Sequence, residues 1–325
     1  MDKKQMVRQA HHQIRQAHYK PEQGRGIGRR SFLKYSAAVT LGAALSSRVT
    51  SAEIQKKPST PDVRRARKWY KALKIGMLPG NIPDAEKFKL AKKCGFDGID
   101  GEPINDLDAA REQAKLAREA GVPIHGLVFG GWHAPFSDPS PEVINKGLEG
   151  MKNALRCANA MGAGTVLLVP AIVNENVRYA DAYKRSQEHI RKLLPLAEEM
   201  KVVIAIENVW NKFLLSPLEF ARYIDDFESH WVRAYFDVGN VIIYGYSQDW
   251  IRTLGKRIVK IDLKDFKRQG YQWTNLLDGD VNWPEVCRAL DEVGFEGYMT
   301  AELSGGDEAH LTDIAKRIDR IFSMG

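Results

Sequence analysis

The sequence predicts a (β/α)₈ barrel, and three observations carry that expectation. Strand-length apolar runs and amphipathic stretches alternate eight times after a polar linker at residues 53–67, which favours a closed parallel barrel over an open sheet. The last four runs each end in a carboxylate: Val202–Ile206 in Glu207, Val232–Phe236 in Asp237, Ile258–Ile261 in Asp262 and Tyr298–Ala301 in Glu302. The chain beyond residue 52, about 270 residues, has the length of one such barrel and can bury a large core.

Residues 1–52 read as an export address. Arg29-Arg30-Ser31-Phe32-Leu33-Lys34 precedes a short apolar stretch, Ser36 to Leu45, and small residues running to Ala52. This matches a twin-arginine signal with a cleavage site, behind a Gly- and Arg-rich leader expected to be disordered. The expected partner is the twin-arginine export machinery, and the expected location is periplasmic or otherwise extracytoplasmic. The apolar stretch is too short for stable membrane insertion. The segment also explains the charge. Of the chain's net +7, residues 1–52 supply +8, from ten Lys or Arg against two Asp or Glu, and the remainder carries −1. The remainder therefore offers no basic patch to argue for nucleic acid.

Residues 68–325 form the expected barrel domain, with no second domain. The first four strands are expected at Leu73–Leu78, Asp97–Glu102, Pro123–Phe129 and Thr165–Ala171, and the four acid-ended runs are the rest. Helices are expected at Asp106–Ala120, Pro141–Met161, Ala180–Met200 and Ser216–Phe227, with Asp84, Asp106 and Ser216 at helix starts. Gly95, Gly121, Gly162 and Gly294 stand where helices must stop. Cys94, Cys157 and Cys287 show no CxxC spacing and read as small core residues.

Spacing turns the four acids into a site. The gaps between them are 30, 25 and 40 residues, each about one βα unit or more, so each acid belongs to a different unit. Parallel strands in a closed barrel bring their C-terminal ends to one rim, so the four acids converge. Alternation places Ala205 on the face of Glu207, Lys260 on that of Asp262 and Thr300 on that of Glu302. A divalent cation would relieve the repulsion among four carboxylates, and an all-oxygen shell suits Mn²⁺ or Mg²⁺. Asp265 could replace Asp262 as a ligand. Asp100 and Glu102 end the second strand, as pocket lining or solvated rim. His125 lies mid-strand and reads as a hydrogen-bonded core histidine. Trp132 and His133 follow Gly130 and Gly131 in a rim loop, where an aromatic ring could stack on a ligand. Trp210 and Phe213 could pack the loop or touch ligand, Asp278-Gly279-Asp280 reads as a turn, and His230 and His310 receive no role.

The string Glu207-Asn208-Val209-Trp210-Asn211-Lys212-Phe213-Leu214-Leu215-Ser216-Pro217, followed by Phe236-Asp237-Val238-Gly239-Asn240, resembles the xylose isomerase-like barrels. Within them it is most similar to the sugar phosphate isomerase/epimerase group that includes ketose 3-epimerases. Gly95-Phe96-Asp97-Gly98-Ile99, Leu167-Leu168-Val169-Pro170, Lys264-Asp265 and Ala301-Glu302 extend the resemblance over nearly all of residues 71–323. The resemblance implies metal ligands Glu207, Asp237 and Glu302, with Asp262 where that group most often carries His. It implies a substrate contact at Arg268, and Asn240 stands where many relatives bind substrate with His. It also implies a proton taken from one face of a carbon beside a ketone and returned to the other through an enediolate, Glu207 and Glu302 serving as base and acid. Aldose–ketose isomerisation uses the same groups. A keto-sugar or inosose lyase, and an exported sugar-binding barrel without turnover, are the alternatives. An endonuclease IV-like barrel is disfavoured because its strand-end histidines are missing. Export favours a free or oxidised sugar over a phosphorylated one, and a homo-oligomer is compatible with the sequence.

Overall fold

The computed structural model describes residues 67–325. The export signal expected at 1–52 and nearly all of the linker lie outside the described residues. The strands are β1 Trp69–Lys74, β2 Gly98–Gly101, β3 Ile124–Gly130, β4 Thr165–Leu168, β5 Val203–Glu207, β6 Val232–Asp237, β7 Ile258–Leu263, β8 Asp265–Lys267, β9 Gln272–Thr274 and β10 Gly297–Ala301. Eight of them close a barrel in the order β1 to β7, then β10, which pairs back to β1. Every pair in the ring is parallel. Strands β8 and β9 form a separate antiparallel hairpin between β7 and the next helix.

The helices are α1 Asp84–Lys93, α2 Leu107–Glu119, α3 Pro141–Met161, α4 Tyr179–Arg191, α5 Leu194–Met200, α6 Pro217–Asp225, α7 Ser247–Leu254, α8 Trp283–Val293 and α9 Glu308–Phe322. Outward strand residues such as Leu73, Ile99, Ile204, Ile206, Phe236, Ile261 and Met299 meet the helices in one continuous core. Period-two alternation sends their neighbours into the barrel. There Leu167, Ala205 and Tyr235 make a small apolar cluster of their own, and most of the other inward positions described below are polar. No described helix is long and apolar enough to cross a membrane. The three cysteines are buried and unpaired, as their spacing predicts.

The differences from expectation have local causes. Strand β1 lies at 69–74 rather than 73–78, and Ile75–Met77 is a 3₁₀ turn. Its polar residues Tyr70 and Lys71 obscure the apolar run. The stretch Ala180–Met200 is two helices, because Pro195 in the first turn of α5 has no N–H to continue α4. Asp106 and Ser216 cap α2 and α6 through their side chains, whereas Asp84 lies inside α1, taking hydrogen bonds from Lys87 and Gln113. Gly95, Gly121, Gly162 and Gly294 all adopt positive φ at the helix ends.

Helix α3 packs closely on the loop after β3, through Gly147. A Cβ there would lie 2.4 Å from the Ala134 carbonyl oxygen and 3.0 Å from the Phe136 ring. Gly147→Ala should therefore lower stability by about 1–3 kcal/mol, the overpacking range, despite alanine's better helix propensity. Urea denaturation measures this, and an unchanged midpoint would show that the contact gives way freely.

Candidate metal centre

Three strand ends and the residue after a fourth deliver the carboxylates. Glu207 ends β5, Asp237 ends β6, Asp262 lies one residue before the end of β7, and Glu302 follows β10 with its N–H on the Leu263 carbonyl. Lateral register sets Asp237 beside Asp262, and Asp262 beside Thr300. One oxygen from each of the four acids lies within 4.8 Å of the others. Glu207, Asp237 and Asp262 are buried, and Glu302 keeps 36% of its side-chain surface exposed.

Each acid also has one oxygen that no neutral group hydrogen-bonds: Glu207 Oε1, which has no partner, and Asp237 Oδ2, Asp262 Oδ2 and Glu302 Oε2, each met only by a lysine ammonium. The two aspartates are anchored through their other oxygen. Asp237 Oδ1 accepts the N–H groups of Gly239 and Asn240, both at 2.8 Å. Asp262 Oδ1 accepts the Tyr235 hydroxyl at 3.0 Å. A buried polar atom is normally satisfied. Four carboxylates converging from four segments, with Glu207 Oε1 left unpartnered, form a donor set that fits a hard cation.

Two ammonium groups stand beside them. Lys264 Nζ is 2.9 Å from Glu302 Oε2 and 3.2 Å from Asp237 Oδ2. Lys74 Nζ, at the end of β1, is 2.9 Å from Asp262 Oδ2 and 3.3 Å from Asp100 Oδ2. Burial alone would lower both lysine pKa values, but Asp237 and Glu302 around Lys264, and Asp262 and Asp100 around Lys74, hold them raised. Burial, then the neighbouring Glu302, pushes Glu207 well above the usual carboxylate range. Burial works the same way on Glu302, where Lys264 and Lys74 overcome it and hold the pKa at about 2.

A profile of the family described as xylose isomerase-like TIM barrel matches residues 88–321. The chain belongs to that family. It is 29% identical over 240 residues, 67% of this chain and 82% of the relative, to SgbU of Escherichia coli K12, named as a candidate L-ribulose-5-phosphate 3-epimerase. The Haemophilus influenzae protein of the same name is 27% identical over 208 residues, 59% of this chain and 73% of that one. Among solved structures, the E. coli 3-keto-D-glucoside 4-epimerase YcjR superposes with a TM-score of 0.66 at 16% identity, over 78% of this chain and 98% of its own. The IOLI protein with a bound zinc atom superposes at 0.68, with 16% identity and the same coverage. At that identity, the structural likeness concerns the fold.

The strand-seven position holds Asp262, and the surrounding residues accommodate an acid there. Asp265 takes no part in the carboxylate group. Its oxygens accept the N–H groups of Phe266, Leu277 and Val281 and the Trp283 indole, which ties the loop before α8. Asp100 is buried, bound by the Tyr235 hydroxyl, while Glu102 is exposed. His125 is buried against the Lys260 ammonium and stacks on Tyr298. Burial, reinforced by Lys260, pushes its pKa well below the usual value, so it is neutral. Asn240 is buried, donating its amide to the Asn208 carbonyl. Arg268 donates to the carbonyls of Ile242 and Gly245 at 2.7 and 3.0 Å, so those donors brace the loop after β6. Trp132 and His133 lie exposed on the rim, Phe213 is core, and Trp210 packs on the hairpin. Asp278 and Asp280 flank a turn, and Asp278 pairs with Arg317.

Sequence reasoning missed Lys74. Placing the first strand four residues late hid the fact that this lysine, like the acids, ends a barrel strand on the inward face. With it the charges can be counted among the described residues. Five carboxylates, Asp100, Glu207, Asp237, Asp262 and Glu302, face three ammonium groups, Lys74, Lys260 and Lys264. Fully ionised, the set carries two negative charges in excess, which is the charge one divalent cation would balance.

Lys74→Met should destabilise the metal-free protein by about 3–5 kcal/mol, as expected when one partner of a buried ion pair is removed. Adding Asp262→Asn should recover part of that loss. Thermal unfolding in EDTA reads both, and full stability in Lys74→Met would show that Asp262 is held protonated and needs no counter-ion.

Proposed function

We propose that the protein is a divalent-metal-dependent sugar epimerase or isomerase, with Glu207 and Glu302 moving the proton and Glu207, Asp237, Asp262 and Glu302 holding Mn²⁺ or Mg²⁺. The four converging carboxylates, with Glu207 Oε1 left unpartnered, carry this reading. The epimerase names among its relatives support the reaction class. We also place the working protein outside the cytoplasm, on the strength of the Arg29–Lys34 motif, and expect an unphosphorylated sugar there.

When bound, the cation supplies positive charge to the substrate oxygens on which an enediolate's charge develops, worth several kcal/mol of barrier. The chain supplies the rest. Strands β5 and β10 stand three places apart in the ring, with β6 and β7 between them, so Glu207 and Glu302 flank the space above the two aspartates. Their surroundings separate them: Glu302 is held ionised by Lys264, while Glu207 makes no ion pair and is raised by burial. Tyr235 and Lys74 fix Asp262 from below, and Asn208 fixes β6 by accepting the Asp237 N–H and donating to its carbonyl.

Incubation in D₂O with a panel of ketoses, aldoses and keto-glycosides should place one deuterium on one carbon. Glu207→Gln and Glu302→Gln should each slow this by at least about a hundredfold, the low end for general acid–base catalysis. Loss of water from the sugar would make the protein a lyase, and no incorporation would leave a binding barrel.

Metal binding should respond to pH and to the two candidate aspartates differently. Glu207, Asp237 and Asp262 have folded pKa values raised above their unfolded ones. Their contribution to the metal-free protein is therefore full below the unfolded values near 4 and is lost as pH rises through the folded ones. A cation displaces those protons and removes that loss, so the gain in Tm from Mn²⁺ should grow between about pH 5 and pH 8. Asp262→Ala should abolish the gain, whereas Asp265→Ala should lower Tm yet keep it. Asp262→His should still bind metal while shifting preference from Mn²⁺ towards Zn²⁺. The reverse pattern in calorimetry would move the ligand to Asp265.

A further inference from the structure

The β8–β9 hairpin adds nothing to the barrel ladder, since its strands pair only with each other. What it carries is an aromatic surface. Trp210, three residues past Glu207, stacks on Trp273 with 4.8 Å between ring centroids and 26° between planes. Tyr271 lies 5.6 Å from Trp210, and buried Phe266 meets it edge-on at 5.4 Å. The Trp210 indole N–H donates to the Asn240 carbonyl at 2.8 Å, which fixes the base of the stack. Trp273 and Tyr271 nevertheless leave 45% and 58% of their surface in water.

This surface is continuous with the carboxylates. The Lys264 ammonium that contacts Glu302 and Asp237 also lies 5.4 Å from the centre of the Trp273 ring. The aromatic surface therefore begins one ammonium group away from the acids. Its chemistry suits an uncharged ligand. Lys264 is committed to carboxylates and Arg268 to two backbone carbonyls, and an aromatic face offers nothing to a phosphate. The apolar C–H face of a pyranose ring matches it, with sugar hydroxyls left to water at the edges.

We propose that Trp273 and Tyr271, backed by Trp210, bind a second, uncharged sugar ring joined to the ring held at the carboxylates. The substrate class is then a disaccharide or other glycoside, not a sugar phosphate. This rests on the reading that a sugar binds at the acids.

The test titrates the Mn²⁺-loaded protein with cellobiose, maltose, lactose, glucose, galactose and glucose 6-phosphate, read by tryptophan fluorescence and saturation-transfer NMR. At least one disaccharide should bind about tenfold more tightly than any of the three monosaccharide ligands, a difference of about 1.4 kcal/mol. Trp273→Ala should remove that preference while keeping monosaccharide and Mn²⁺ affinity, and Trp273→Phe should retain most of it. Equal affinities across the panel, or an undiminished preference in Trp273→Ala, would overturn the proposal. So would a Trp273→Ala variant that changes the oligomeric state in analytical ultracentrifugation with no effect on saccharides, since the surface would then join two copies of the chain. Binding is read without turnover. A protein that prefers disaccharides but exchanges no proton would overturn only the enzymatic reading, and one that exchanges protons on sugars without that preference would overturn only the stacking.

Discussion

Buried negative charge is the constraint around which this barrel is organised. A closed ring of parallel strands keeps water from its interior, and each isolated carboxylate there loses hydration worth several kcal/mol. Lys74 answers Asp262 and Asp100 from β1, Lys264 answers Asp237 and Glu302 from the segment after β7, and Lys260 lies beside His125 deeper in the barrel. The interior that many barrels fill with branched apolar residues is here a charged network with Tyr235 at its centre, bonded to Asp100, Asp262 and Thr300. The remaining imbalance falls at the mouth, where a ligand can reach it. Such a charged filling contributes less stability than an apolar one would, and it leaves carboxylates placed where they could hold a cation.

The rim holds the acids in fixed positions. Asp237 gives one oxygen to the turn that follows it and keeps the other directed at its neighbours. Asp265, three residues past Asp262, gives both oxygens to a loop and none to the cluster. Gly239 permits this crowding, because a Cβ there would lie 2.6 Å from that of Lys264. Such pre-organisation fixes the charges in advance, the condition under which electrostatic effects on a bound ligand are largest.

Fold likeness at 16% identity extends across nearly the whole length of YcjR and IOLI, so the barrel itself says little about what this chain binds. Discrimination has to come from what stands above the carboxylates. In this chain that is a hairpin inserted after β7, with its exposed aromatic rings, and a loop after β6 braced by Arg268. Neither belongs to the ladder, and both could change without disturbing the ring beneath.

Much of this was readable in the residues alone. Alternating runs and helix-length spacers determined the ring, because each βα unit needs a minimum length and one hydrophobic face. The recurrence of Glu207, Asp237, Asp262 and Glu302 at strand ends determined their convergence, because parallel strands in a barrel all end on one rim. Parity alone also turned Lys260 and Thr300 inward. What stayed hidden depended on distances between segments far apart in sequence. Whether Asp262 or Asp265 joins the acids is decided by which one meets Tyr235 and which meets the backbone N–H groups of a later loop. That Asp100 is buried and Glu102 is not follows from where the barrel mouth opens. Lys74 emerged as a counter-ion only once β1 was closed against β2 and β10, 161 residues before its Tyr235 contact. Local pattern sets which face a side chain takes, but only the closed ring sets which charges must share a space without water.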